Sequence, residues 1–271
     1  MKYCRNTSLS ILLLSSCVYA ANLKIETAKA WDAYVEEAKA AMQARLDPGA
    51  HFLWIAEAPE RREHVRRKGP LILPTREHIP KPVPSGLIHD WLGAAFIPNA
   101  RIADILKIVR DYDHYADVYK PGVVSSRLIG SEGTKDLFFL RFVNNSAVAK
   151  TALDCEGEAY YTQIDEHHLY GYSVIRHIRE VAQFGTREQH TLPEDEGRGL
   201  IWRLASFTRL EEADGGVYAE LEALALSRDI PAAFRLIATP IVRRVSRDSL
   251  ATSLLQTKVA IDAAKEGRKA N

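Results

Sequence analysis

The order of elements in the second two-thirds of the chain limits the fold more than any motif. From residue 86 onward one apolar stretch is followed by two short helical segments, six strand-like segments in succession, and one long amphipathic helix. Leu87 to Ile97 reads as a buried strand ended by Pro98-Asn99. Asn99 is placed to cap a helix whose apolar face is Ile102, Ile105, Leu106 and Val109. Asp111 is placed to cap a second, running to Tyr119 before Pro121-Gly122. The six β-like segments are about 123–130, 135–144, 148–164, 168–182, 199–212 and 216–228, punctuated by Gly130 and Gly133, Asn144-Asn145, Asp165-Glu166 and Asp214-Gly215-Gly216. The last helix begins near Pro231 and is expected to kink or break at Pro240. Ser246 would cap its second part, which carries the stripe Leu250, Leu254, Thr257 and Ile261. An antiparallel meander followed by one long helix has few ways to bury itself. The sheet curls around the helix and leaves a cavity between them. The expected class is therefore α+β: a curved antiparallel seven-stranded sheet wrapped around a long C-terminal helix.

What precedes residue 86 has a different texture. Trp31, Tyr34, Val35, Ala38, Ala41, Met42 and Leu46 recur at helical spacing over 26–46, and Asp47-Pro48-Gly49 ends the pattern. His51 to Ala58 is a short apolar element. Residues 59–85 hold Pro70, Pro74, Pro80, Pro82 and Pro84 among many charges, and read as an extended strap. The basic run Arg61 to Lys68 is read first as a solvated surface segment and second as a contact for anionic lipid or a protein partner. The expected division is 1–20 leader, 21–85 N-terminal helix and strap, 86–263 main domain, 264–271 tail.

Lys2 and Arg5, the apolar run Leu9 to Leu14, and Val18-Tyr19-Ala20 form an export signal cleaved after Ala20. A second reading competes: Leu14-Ser15-Ser16-Cys17 resembles a lipoprotein box, which would end the signal at residue 16 and attach the protein to a membrane through lipidated Cys17. Either way the expected location is periplasmic or secreted, and Cys155 is left without an intrachain partner. Loss of Lys2 and Arg5 leaves 34 basic residues (36 less 2) against 35 acidic ones. A near-neutral chain has no basic field to recruit nucleic acid. With 46% hydrophobic and 26% charged residues it has material for a sizeable core.

The element order resembles the START-like superfamily, also called SRPBCC or polyketide cyclase-like, with its helix-grip fold. The pieces carrying the resemblance are Gly86-Leu87-Ile88-His89-Asp90-Trp91 leading to Phe96-Ile97-Pro98, Asp111-Tyr112-Asp113-His114-Tyr115, and Leu226-Ser227-Arg228-Asp229-Ile230-Pro231 before the last helix. They span roughly 86–263 and are architectural. The superfamily hosts lipid carriers, ligand sensors and some cyclases or aromatases, so the resemblance implies a hydrophobic cavity and chooses no chemistry.

No G-x-S-x-G, H-E-x-x-H, P-loop, G-x-G-x-x-G or C-x-x-C motif occurs, and no cofactor or metal is expected. His89 shares a strand face with Trp91 and reads either as a hydrogen-bonded structural residue or as cavity lining. Asp111, Asp113 and His114 read as helix-start residues before a metal or acid–base role, and His167-His168 as a solvated turn. In 199–209, Leu200, Trp202, Leu204, Ser206 and Thr208 share a face; in 216–228, Tyr218, Glu220, Glu222, Leu224 and Leu226 do. Both faces are partly apolar, so pattern does not decide which looks inward. Glu220 and Glu222 read either as a cross-strand ion-pair ladder on the outer face, or as a polar cavity end that fixes a ligand headgroup, with Arg176 or Arg179 supplying the positive charge they would need there. Tyr161 and Trp202 lead the strand aromatics whose hydroxyl or indole N–H would reach a pocket. The favoured function is binding or carriage of a lipid or other hydrophobic small molecule. Its rivals are a cyclase-like enzyme using Glu220, Glu222 or His89, and a partner-binding protein with a filled cavity.

Overall fold

A computed structural model describes residues 22–145, 150–197, 201–230 and 235–270. In chain order they form α1 (Ile25–Ala44), a 3-10 turn (Trp54–Glu57), α2 (Pro59–Arg67), β1 (Leu71–Pro74), β2 (Lys81–Val83), β3 (Gly86–Pro98), α3 (Ile102–Val109), a 3-10 turn (Tyr112–His114) and α4 (Tyr115–Val118). There follow β4 (Val123–Glu132), β5 (Lys135–Asn145), β6 (Lys150–Gln163), β7 (His168–Ala182), β8 (His190–Thr191), β9 (Arg203–Ala213), β10 (Gly216–Arg228) and α5 (Arg235–Ala270). The export signal and Cys17 lie outside the described residues.

The strands join one curved antiparallel sheet in the order β1-β3-β10-β9-β7-β6-β5-β4, with β2 added to β3 and β8 to β7. This is a ten-stranded sheet, not the seven-stranded one expected. The extra strands come mainly from the strap, whose residues 71–74 and 81–83 pair with the edge of β3 that β10 leaves free. Pro74 and Pro82 mask this in sequence, yet an edge strand tolerates a residue with no N–H to donate.

Three local expectations change. Arg101, not Asn99, is the N-cap of α3, and its backbone N–H donates to Asp104 at 3.1 Å. Asn99 instead makes the left-handed turn at φ 57° that leaves β3. Asp111 makes no capping bond; its carboxylate lies 2.7 Å from His114 Nδ1 on the surface. Helix α5 runs unbroken through Pro240, holds Ser246 in its interior, and continues to Ala270 past the expected end at 263. No described helix is long and apolar enough to cross a membrane.

Both faces of the sheet are covered. The inner face receives α3, α4 and α5: Leu250 packs with Trp91 and Ile79, and Ile261 with Ile97, Ile102 and Ile105. The outer face receives the N-terminal extension: Trp31, Tyr34, Val35, Ala38 and Met42 of α1 pack on Ile88, Phe207, Leu224 and Leu226. Each such large apolar side chain contributes roughly 1.5–3 kcal/mol when fully buried. Residues 22–67 thus form an outer layer, while 71–83 extend the sheet edge and bring Ile79 to Leu250 on the inner side.

Candidate functional site

Pairing register defines what the inner face presents. One row across the sheet reads Ala159, Ser173, Ser206, Ala223, Trp91; the row beside it reads Gly157, Ile175, Leu204, Ala225, His89. A third reads Tyr161, Gly171, Thr208, Leu221, Gly93. The centre of this face is made of small side chains, which leave room above a pleated surface where large ones would fill it. Three places are already filled: a Cβ on Gly93 would lie 2.8 Å from Leu254, one on Gly157 2.6 Å from the Phe138 ring, and one on Gly171 3.3 Å from the Tyr161 ring. Between them Ser173, Leu204, Ser206, Thr208, Leu221, Ala223 and Ala225 stay partly exposed. Helix α5 packs chiefly on β3, β1, α3 and α4, and its Ile261 also joins the apolar cluster of Leu169, Leu210 and Val217 at one end of the sheet. The inner face is therefore a trough floored by small residues.

One end of the trough is closed by aromatic side chains. Tyr112 stacks on Phe138 with ring centroids 4.7 Å apart, its hydroxyl lies 3.1 Å from that of Tyr161, and Tyr161 donates to the Val109 carbonyl at 3.2 Å. Burial pushes the Tyr161 phenol up to about 12, so it remains a neutral donor. Tyr119 reaches α5 through Thr257 at 3.0 Å. At the β3 edge, His89 Nε2 lies 3.0 Å from Ser227 Oγ, and burial lowers its imidazole to about 4. His89 Nδ1 and Trp91 Nε1 are buried with no hydrogen-bond partner among the described residues. A neutral imidazole and an indole N–H beside an apolar floor can orient a polar group on a bound molecule.

The outer face holds the other expected site residues. Trp202, expected in the cavity, packs beneath α1 with Trp31 and Phe207. Arg176 is more than half exposed and pairs with Glu158 at 3.1 Å. Glu220 is fully buried: Arg209 Nε donates to it at 3.0 Å, and the backbone N–H groups of Trp54 and Ile55 at 3.1 and 2.9 Å. Glu220 thus pairs with Arg209 on the outer face, beneath the covering extension and away from Arg176 and Arg179. Glu222 lies on the same face, and burial followed by the nearby Asp90 charge raises it to about 7. The structure thus brings His89, Trp91, Tyr161 and Ser206 together on the inner face, and separates Trp202, Arg176, Glu220 and Glu222 from them. The lining residues the sequence reading passed over are the small ones. Their signal was the alternation Ser206-x-Thr208 and Ala223-x-Ala225.

Two pockets stand out. One of about 240 Å³ lies between α3 and α5 against Ile108 and Ile261. The other, of about 200 Å³, lies on the outer face beneath the extension and includes Asp90, Arg209 and Glu222. No cluster of three or more His, Cys, Asp or Glu placed to hold a metal occurs among the described residues. The basic run is engaged internally: Arg61 stacks on Trp54 at 3.9 Å, Arg62 pairs with Glu211, and Arg66 with Asp214 at 3.2 Å.

No protein-family model and no curated protein matches the chain. Among solved structures, a fragment of a STAR-related lipid transfer protein from Xanthomonas axonopodis is 14% identical, with 67% of this chain and 96% of that one covered and a TM-score of 0.47. Human STARD10 is 7% identical, with coverage of 84% and 87% and a TM-score of 0.46. The Zhui aromatase/cyclase of a Streptomyces species is 10% identical, with coverage of 65% and 94% and a TM-score of 0.43. No site residue is carried over from them. On its own strand order, with β3 meeting β10 and a C-terminal helix on the concave side, the chain has a helix-grip fold.

Proposed function

We propose that the protein binds a lipid or another hydrophobic small molecule in the trough between the inner sheet face and α5, and does so as an exported protein. The observation that carries this reading is the floor of small, partly exposed residues at Ser173, Ser206, Ala223 and Ala225 in a sheet whose opposite face is tightly covered. Apolar burial along the trough supplies the affinity, and His89 Nδ1, Trp91 Nε1 and the two serine hydroxyls orient the ligand. The carboxylates considered for an enzyme lie across the sheet from this trough, which favours carriage over turnover.

Native mass spectrometry of protein taken from its own host tests the reading. The expected result is a stoichiometric hydrophobic adduct released by organic solvent, on a chain that begins at Ala21 or at lipidated Cys17. A ligand-free chain that also fails to take up any fatty acid, sterol or quinone overturns the binding reading. A retained Met1 overturns export.

A further inference from the structure

The outer-face pocket contains chemistry that the trough does not use. Asp90 of β3 and Glu222 of β10 are diagonal neighbours on one face, since Leu92 pairs with Glu222 and Leu224 with Asp90. Tyr34 donates to Asp90 Oδ2 at 2.7 Å, whereas Asp90 Oδ1 has no partner although the residue is 2% exposed. The half-buried Glu222 carboxyl makes no hydrogen bond or ion pair among the described residues. Three arginines line the same pocket, and each already has a carboxylate of its own. Arg45 pairs with Glu57 at 2.8 Å, Arg76 with Glu37 at 3.3 Å, and Arg209 with Glu220 at 2.9 Å. Asp90 and Glu222 therefore have no ion-pair partner of their own in a space of about 200 Å³, although Arg76 faces Asp90 and Arg209 and Arg45 face Glu222. A buried carboxylate beside a half-buried one is costly to ionise, and a compact cation with several N–H donors relieves that cost. The rest of the wall is apolar, made by Ala38, Leu73 and Leu92, and the pocket meets solvent beside Ala41 and Arg76.

We propose that this pocket is a second binding site, taking a small primary alkylammonium ion. Its ammonium sits between Asp90 and Glu222, and its short chain lies against Ala38, Leu73 and Leu92. The Thr75 hydroxyl stands at the same wall as a further polar contact. The groups facing Glu222 are Arg45 and Tyr34 from α1, Arg76 from the strap, Asp90 from β3, Tyr170 from β7, Arg209 from β9 and Glu220 from its own strand. Burial and Asp90 raise Glu222 to about 7, so the empty pocket keeps a proton that the bound cation displaces. Binding therefore strengthens as pH rises through neutrality. The site lies across the sheet from the trough, so neither site depends on the other.

Calorimetric titration with n-butylammonium chloride tests this, with n-butanol and butyrate as controls. The wild-type protein should bind butylammonium saturably, and each control at least ~10-fold more weakly, the loss expected for one charge-assisted hydrogen bond. Asp90→Asn and Glu222→Gln keep shape and should each lose about tenfold or more in affinity. Their thermal transitions, recorded alongside, confirm that both remain folded. For the wild type, repetition in buffers of different ionisation enthalpy near pH ~7 should show proton release on binding. Absence of saturable binding, equal binding of butanol, or unchanged affinity in both variants overturns the proposal. A pH-independent affinity with no proton released overturns the role given to Glu222.

Discussion

Glu220 shows what an ionised group requires when a sheet is covered on both sides. Its carboxylate is fully buried and satisfied by Arg209 and by two backbone N–H groups of the 3-10 turn at Trp54–Glu57. The pair joins β9 and β10, and the backbone bonds fasten the extension onto them. Removing one partner of such a pair typically costs about 3–5 kcal/mol because the other charge is left uncompensated. Glu220→Met should be the worse of the two single changes, since it strands a buried guanidinium and two backbone donors, whereas Arg209→Met leaves Glu220 with its two N–H bonds. Urea unfolding of both variants measures the order; a milder effect for Glu220→Met would contradict it. His89 makes a prediction about pH. Burial lowers it from 6.5 to about 4, so the folded state stays unprotonated where the unfolded chain takes up a proton. Its contribution to stability is therefore lost as pH falls from about 6.5 toward 4. An NMR titration should find one imidazole neutral down to about pH 4; a normal titration would place His89 in water. In the sequence, alternation put Glu220 and Glu222 on one strand face but could not say which face, because β3 is buried on both sides over nearly its whole length. Two-sided burial removes the apolar-in, polar-out pattern that identifies a solvated face.

At the scale of elements, the strands after residue 86 were legible because alternation and turn residues act locally. The three missed strands were not, because 71–74 and 81–83 are defined by the β3 edge they join and 190–191 by its pairing with β7, not by their own pattern. The stripe on α5 was legible in the same local way. Leu250, Leu254 and Ile261 are all buried, and Leu254 closes on Gly93 of β3. Leu254→Ala should destabilise the domain by roughly 2–5 kcal/mol, the usual range for a buried leucine truncated in a core. A denaturant midpoint equal to wild type would show that α5 is not part of the cooperative unit. The exposed Val259, on the same helix at 65% exposure, serves as control. Helix α1 repeats the logic on the other face: its periodic residues were visible in sequence, while their partner, the outer side of β9 and β10, was not.

At the scale of the whole molecule, the sheet divides the chain into two half-structures with different tasks. The outer half is dense: Tyr34, Phe207, Leu224 and Leu226 are each at most 1% exposed. Among the described residues the inner half carries a row of small, partly exposed side chains, with α3 and α4 packed at one end and α5 over β3 at the other. The division follows from residue size at alternating positions, Ala223 and Ala225 facing inward against Leu224 and Leu226 facing outward on the same strand. The site was legible only in part for that reason. Trp202 looked like a cavity residue because it is aromatic and lies near a strand, yet its size is what suits it to the packed side. On the proposed function, size sorts ligand-binding from structural positions, and one experiment reads both. A panel of fatty acids, sterols and quinones is titrated against wild type, Ser206→Phe and Trp202→Ala, with unfolding recorded for each. Ser206→Phe fills the trough and should weaken the best ligand about tenfold or more, roughly the loss of 1.4 kcal/mol or beyond, while remaining folded. Trp202→Ala should cost about 3–5 kcal/mol in stability and leave affinity unchanged in the folded protein. Unaltered binding in Ser206→Phe together with lost binding in folded Trp202→Ala would put the ligand on the other side of the sheet and contradict the account.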